Sequence, residues 1–364
     1  MENKQTNNLK EKETMKVYLQ YPWKSSDSQY YKSMIDNSPE GIEFNKTNKK
    51  VEVISKNNKF KIQNYLKKQI RYWTEKLGVI IVNSHKSPEG DYDLIHSAHC
   101  LSKNTDKPWV TDVESLWQMW ISGINKKKAK EKVLKYLLSD NCKKIMAWSE
   151  FTKNEIITIF PEIEEKVEVV YYAMPEQKQV KKTSEDITLF FSGRHFLAKG
   201  GLDALEVINK LTKKYDNVKG IINGVIPKEV IKKYSKNDKI EFHQLMPYEE
   251  LVKLYQRSDI FIYPGYSDSF GFGFIEAMAF GLPIVSCNTG RCRREIVRPW
   301  VNGFLVDRDS DVVQSLCDKV SLLIDSKNLR EIMSRNCFGI IKKGRFSIKK
   351  RNKKLKRIYE DAVK

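Results

Sequence analysis

The chain has 364 residues, 65 of them Lys or Arg and 46 Asp or Glu, for a formal charge of +19. With 40% hydrophobic and 11% aromatic residues it carries too much apolar material for a disordered chain, and 17 Gly and 11 Pro exclude collagen-like and low-complexity classes. No segment reaches the roughly 18 consecutive apolar residues of a membrane-spanning helix, and at ~150 residues per domain the length predicts two domains.

Residues 1–14 hold no apolar stretch of the kind a secretory leader carries and are expected to be a disordered tail. Residues 15–21 (MKVYLQY) predict a buried strand, and 49–55 (KKVEVIS) a second one. A helix is expected over about 58–76, with Phe60, Leu66, Ile70, Trp73 and Leu77 roughly on one stripe. The run GVIIVNS (78–84) predicts a buried parallel strand. DLIHSAH, KPWVTDVES and KKIMAWS predict three more strand ends, each followed by a turn or helix. A second alternating series starts near 187. ITLFFSG, NVKGIING, KIEFHQ, DIFIYPG and LPIVSCN are its strands, with helical patterns between them. Such alternation implies parallel sheets with crossover helices, here as two halves joined near Tyr172–Thr183. In open sheets of this kind ligands sit at the carboxyl ends of the strands.

Cys100, Cys142, Cys287, Cys292, Cys317 and Cys337 show no paired spacing, so free thiols are expected and no metal site. The charge excess suits nucleic acid, an anionic membrane or phosphorylated ligands. It gathers in 56–73, 125–136 and 342–357, the last with ten Lys or Arg. The first two mix Lys with apolar residues at helical spacing, which fits a membrane-surface helix or a lysine-rich solvated face. Trp117 and Trp120, just before NKKKAK, fit an interfacial anchor or core packing.

Two stretches of the second half carry chemistry. In FFSGRHFLAKGG a strand ends at Ser192 and Gly193, Arg194 follows, and Lys199 stands where a helix opens. Two permanent cations beside a helix N-terminus suit a diphosphate. In YPGYSDSFGFGFIEAMAFG, Asp268 and Glu276 are separated by seven residues. Between them Ser269, Phe270, Gly271, Phe272 and Gly273 form a loop whose backbone can approach a ligand. A carboxylate one turn into the following helix can accept hydrogen bonds from a ribose diol. In the first half, His96 and His99 lie just past a predicted strand end and are candidate cleft contacts. No third metal ligand accompanies them.

Taken in this order, FSGR…KG, DSFGFGFIEAMAFGLPIV, NGFLVD (302–307) and FSIKKRNKKLKRIY resemble the retaining glycosyltransferases of family 4, strongly over about 185–346. The resemblance implies an α/β protein of the GT-B fold. Two Rossmann-like βαβ domains would face each other across a cleft, and a C-terminal helix would cross back to the first domain. The expected division is an acceptor domain at 15–178, a nucleotide-sugar domain at 179–345 and the crossing helix at 346–364. Arg194 and Lys199 match the family's diphosphate pair, Glu276 its ribose acid, and the 269–273 loop, after Gly193 and Arg194, its donor-binding groups. Asp268 stands where the family usually has Glu, near the donor sugar. Asp112 and Glu114 fall where many members carry a His beside that sugar. The backbone of Gln244–Met246 lies in the region that holds the base. The implied activity is a hexosyl or N-acetylhexosaminyl transfer with retention, from a UDP- or GDP-linked sugar to a hydroxyl of a glycan, glycolipid or other acceptor. The resemblance implies no metal and no cofactor beyond the donor substrate. It also implies glycan biosynthesis in the cytoplasm, with attachment to the inner membrane surface left open. The alternative is a basic nucleic-acid-binding protein, or a sugar transferase acting on nucleic acid.

Overall fold

A computed structural model describes residues 14–21, 29–45, 56–123, 126–177, 185–308 and 311–364. The expected tail and the strand expected over 49–55 lie outside the described residues. The first half runs β1 (Met15–Gln20), α1 (Gln29–Asp36), β2 (Ile42–Asn45), α2 (Asn57–Lys76), β3 (Ser84–His85), β4 (Leu94–Ala98), β5 (Leu101–Ser102) and β6 (Trp109–Val113). It continues with α3 (Lys127–Leu138), β7 (Cys142–Ala147), α4 (Glu150–Ile159) and β8 (Val167–Val169). The second half runs β9 (Ile187–Gly193), α5 (Gly201–Lys214), β10 (Val218–Gly224), α6 (Lys228–Tyr234), β11 (Ile240–His243), α7 (Tyr248–Gln256) and β12 (Ile260–Ile262). It ends with α8 (Phe272–Ala279), β13 (Ile284–Cys287), α9 (Arg293–Ile296), β14 (Gly303–Val306), α10 (Val312–Asp325), α11 (Lys327–Lys342) and α12 (Ile348–Ala362).

The strands form two six-stranded parallel sheets, ordered β2-β1-β4-β6-β7-β8 and β11-β10-β9-β12-β13-β14. Their central strands are continuous apolar runs because both faces are covered by helices: Leu189, Phe190, Ile260, Phe261, Ile284 and Val285 are all fully buried. Four helices start where a side chain takes up a free N–H. Ser149 caps α4, Asp311 caps α10, Ser326 caps α11 and Ser347 caps α12. The strand order of the second sheet reverses between β9 and β12, the place where a doubly wound sheet opens a crevice at its carboxyl edge. All six cysteines are buried thiols.

The run 78–84 does not become a central strand. β1 pairs directly with β4, leaving no place between them. Only Ser84–His85 joins a two-stranded ladder with β5, and Val82 makes a single antiparallel bridge with Trp120. Helix α2 forms over nearly the expected range, but its stripe faces outward: Leu66, Ile70, Trp73 and Leu77 are exposed while Phe60 alone is buried.

The last helix packs on the first sheet. Tyr359 meets His96 Nδ1 through its hydroxyl at 2.6 Å, Arg351 donates to the Asn37 carbonyl at 2.8 Å, and Lys354 to the Val169 carbonyl at 2.7 Å. Arg357 pairs with Glu168. Three of the ten cations in the basic C-terminal run are therefore spent on joining the chain's end to its first half.

Candidate functional site

The loops after β9 and β12 meet because these strands are neighbours. β9 ends at Gly193, Arg194 follows, and the chain turns through Lys199 and Gly200 into α5. The Lys199 carbonyl accepts from the Gly265 N–H at 2.9 Å, which ties the two loops together. The Lys199 ammonium bonds the Asp268 carboxylate and reaches the Ser267 carbonyl at 3.4 Å. These side chains are only 18% and 9% exposed, so the pair is far less screened than a surface ion pair.

A residue that sequence reasoning missed stands behind this loop. Arg293, 2% exposed, donates to the Gly265 carbonyl at 2.7 Å and to Thr289 at 3.2 Å. Its guanidinium lies 4.4 Å over the Phe274 ring and 4.0 Å from Asp268 Oδ2. Gly265 (φ +69°) and Gly271 (φ +93°) make the loop's turns. A side chain at Gly265 would strike Arg293 at 2.8 Å, and one at Gly271 would strike Phe274 at 2.5 Å. Gly271 is also the cap residue of α8, whose first N–H groups open beside Gly273.

One turn into α8, Glu276 is half-buried and accepts a hydrogen bond from Tyr255 at 3.1 Å. Burial raises its carboxyl above the ordinary range, opposed by the Tyr255 hydrogen bond and by the nearby Arg194 charge. Arg194, Lys199, Asp268 and Glu276 thus surround one helix start, two cations and two acids.

From the first half, the Trp117 indole donates to the Ser269 hydroxyl at 3.4 Å. Trp148 packs edge-on against Phe270 and Phe272, with centroids 5.8 and 5.2 Å away. Asn57, at the start of α2, bonds the Gln244 side chain at 2.6 Å and accepts from Leu245 N–H at 3.2 Å. It is a second residue the sequence did not single out, and it fixes the 244–246 backbone from across the cleft.

The four candidate cleft contacts divide. His96 and Asp112 are 0% and 1% exposed, so neither lines open space, and the expectation of a cleft contact is corrected for both. His96, expected just past a strand end, stands in the middle of β4, and with Asp112 of β6 it forms an interior network. His96 Nε2 lies 3.2 Å from Asp112 Oδ2, and Tyr31 donates to Asp112 Oδ1 at 2.6 Å. Burial alone would raise the Asp112 carboxyl. The His99 charge and the hydrogen bonds from His96 and Tyr31 outweigh that and hold it below its usual value. His99 is partly exposed, sits 3.5 Å from Asp112 and packs on Trp148, one ring away from Phe270 and Phe272. Glu114 is half-buried, bonded by Gln118 at 3.2 Å, and its charge is felt at Cys292 in the other half. Among the described residues no group of three His, Cys, Asp or Glu side chains is placed to hold a metal ion. No described helix is long and apolar enough to cross a membrane.

Residues 174–338 match the family model described as glycosyl transferases group 1. An uncharacterised glycosyltransferase of Haemophilus influenzae is 27% identical over 230 residues, 60% of this chain and 62% of that one. The chain spans about three-fifths of the length of the curated relatives it matches. Among solved structures, a glycosyltransferase from Rickettsia africae superposes with a TM-score of 0.62 at 18% identity, covering 96% of this chain and 99% of that one. Anabaena HepE in complex with UDP superposes with a TM-score of 0.63 at 14% identity, covering 95% and 100%. The fold is GT-B, two Rossmann-like parallel-sheet domains.

Proposed function

We propose that the protein is a glycosyltransferase that moves a sugar from a nucleotide-diphosphate donor to an acceptor hydroxyl, with retention of anomeric configuration and without a metal. The observation that carries this is the convergence of Arg194, Lys199, Asp268 and Glu276 on the α8 N-terminus at the switch point of a sheet whose segment matches group 1 glycosyl transferases. UDP bound to structural neighbours supports a uridine nucleotide. The nucleic-acid alternative is not favoured: residues 174–338 match glycosyl transferases group 1, and Arg351, Lys354 and Arg357 of the basic run are engaged in packing the last helix.

In this proposal Arg194 and Lys199 neutralise the diphosphate, and Gly193 leaves room for it. Glu276 accepts hydrogen bonds from the ribose, while Ser269, Phe270, Gly271, Phe272 and Gly273 hold the sugar and distal phosphate through backbone N–H groups. Asp268 shares Lys199 with the diphosphate and faces the sugar side of the loop. The C1–O bond to phosphate breaks as the C1–O bond to the acceptor forms on the same face. The acceptor proton passes to the departing diphosphate oxygen. Charge growing on that oxygen is stabilised by the two cations and the helix start, an electrostatic effect of the oxyanion-hole type.

Calorimetry with UDP, GDP, ADP and dTDP, with and without Mg²⁺, tests the donor. One nucleotide is expected to bind without metal and to lose that binding in Arg194→Ala with Lys199→Ala. Absence of binding by all four, or a strict need for Mg²⁺, overturns the proposal. The configuration of the transferred sugar, read by NMR of the product, tests retention.

A further inference from the structure

Helix α2 is amphipathic the wrong way round for a water-soluble surface. Its side toward the protein carries Phe60, Gln63, Lys67 and Thr74. Its outward side carries Ile62, Tyr65, Leu66, Ile70, Trp73 and Leu77, with Ile62, Tyr65 and Leu77 exposed by 61%, 62% and 71%. At 100° per residue these six fall within one arc of the helix. Half of the large apolar side chains that stand exposed among the described residues lie between 62 and 79. Isolated exposed apolar residues are ordinary, but a contiguous stripe marks a surface that something covers.

The charges around the stripe select the occupant. α2 carries six Lys or Arg against one Glu. Lys61 and Lys68 flank one edge of the arc and Lys76 sits near its end. Arg71, on the opposite side of the helix from the stripe, lies 5.3 Å over the Trp117 ring and ties α2 to the cleft rim at Ser269, which leaves the stripe facing outward. Lys126, at the start of α3, reaches to 3.7 Å from where a side chain at Gly78 would begin, so a further basic segment abuts the end of the stripe. A second copy of the chain would set like charges against each other. A nucleic-acid backbone would satisfy the lysines and leave the apolar stripe in water. A bilayer with anionic headgroups satisfies both, with the apolar arc at the acyl boundary and the lysines among the phosphates.

We propose that the outward apolar stripe of α2, with the lysines beside it, is the face by which this protein docks on an anionic lipid bilayer. Docking depends on neither nucleotide binding nor turnover, so it stands or falls separately from the donor site.

The test is co-sedimentation of the full chain with vesicles of phosphatidylcholine alone and with about one-third phosphatidylglycerol, at low and high salt. Binding to the anionic vesicles is expected, weakened by salt. The triple variant Leu66→Ser, Ile70→Ser, Trp73→Ser should lower partitioning by about tenfold or more, with unchanged melting temperature because all three are exposed. Lys61→Gln, Lys68→Gln, Lys76→Gln should lower it on the order of a hundredfold on anionic vesicles only. UDP affinity should be unchanged in both. Three results overturn the proposal: no binding to anionic vesicles, binding indifferent to the apolar triple, or a dimer in sedimentation velocity that the apolar triple dissolves.

Discussion

Replacing Glu276 by Gln keeps the side chain's shape and the hydrogen bond from Tyr255 at 3.1 Å, and removes only the charge. Two effects of opposite sign follow. A carboxylate accepting from a hydroxyl contributes roughly 1.5–3 kcal/mol and a neutral acceptor roughly 0.5–1.5, so donor affinity should fall by about 1–1.5 kcal/mol, near tenfold. Stability moves the other way. Burial raises the Glu276 carboxyl above the ordinary value it has in the unfolded chain. Between those two values the native state binds more protons than the unfolded one, so this residue's contribution declines as pH rises through that window. Below the window the acid is protonated in both states and nothing is lost. Glu276→Gln should therefore match the wild type at acid pH and melt higher at neutral pH, while binding UDP more weakly. Calorimetric titration with UDP and melting curves from acid to neutral pH read both effects. Unaltered UDP affinity, or a variant less stable than wild type at neutral pH, would refute the reasoning.

Other expectations follow from the same loops. Asp268→Asn leaves the mostly buried Lys199 ammonium without its counter-charge and should cost on the order of 3 kcal/mol in urea denaturation, much of it recovered when Lys199→Met is added. Gly271→Ala forces a left-handed residue and a clash with Phe274, and should cost about 1–3 kcal/mol. Gly339→Ala, at an exposed helical position with nothing within 4 Å, should instead raise stability by about 0.5–1 kcal/mol in the same assay. Arg351→Met removes the buried donor to the Asn37 carbonyl and should lower stability by about 1.5–3 kcal/mol, with limited proteolysis showing α12 released first.

The second half was legible because its central strands β9, β12 and β13 are mostly apolar and buried and the helices between them repeat at helical spacing. Residues 187–193 form a strand at the expected limits, and the strand expected over 217–224 begins one residue later, at Val218. The first half was less so. GVIIVNS has the composition of a central strand, but β1 and β4 already satisfy each other's backbone, and composition carries no information about that competition. The α2 stripe was visible as a period, yet a period does not say which face meets the protein. Arg293 sits in the run RCRR, and in a chain with 65 Lys or Arg nothing marks one of them as buried. Asn57 needed a partner nearly two hundred residues away. His96 reads as lying just past a strand end, but it stands in the middle of β4 and joins Asp112 of β6 in an interior network rather than a cleft wall.

The chain enters the crossing from the first sheet at 170–177 and crosses back before α12, and these two described stretches lie side by side. Tyr171 and Phe346 stack edge to face at 5.4 Å, and Lys342 pairs with Glu176 at 3.2 Å. Two tethers lying together act as the pin of a door: the halves can swing about that line more readily than they can slide or part. A contact between the halves that involves none of these side chains, Asn57 with Gln244, works as the latch, and the gap between them is the coordinate that opening changes most. Spin labels flanking Asn57 and Gln244 should therefore report a wide range of separations, and labels flanking Tyr171 and Phe346 a narrow one. Equal spreads at both places would mean the halves move without a common axis.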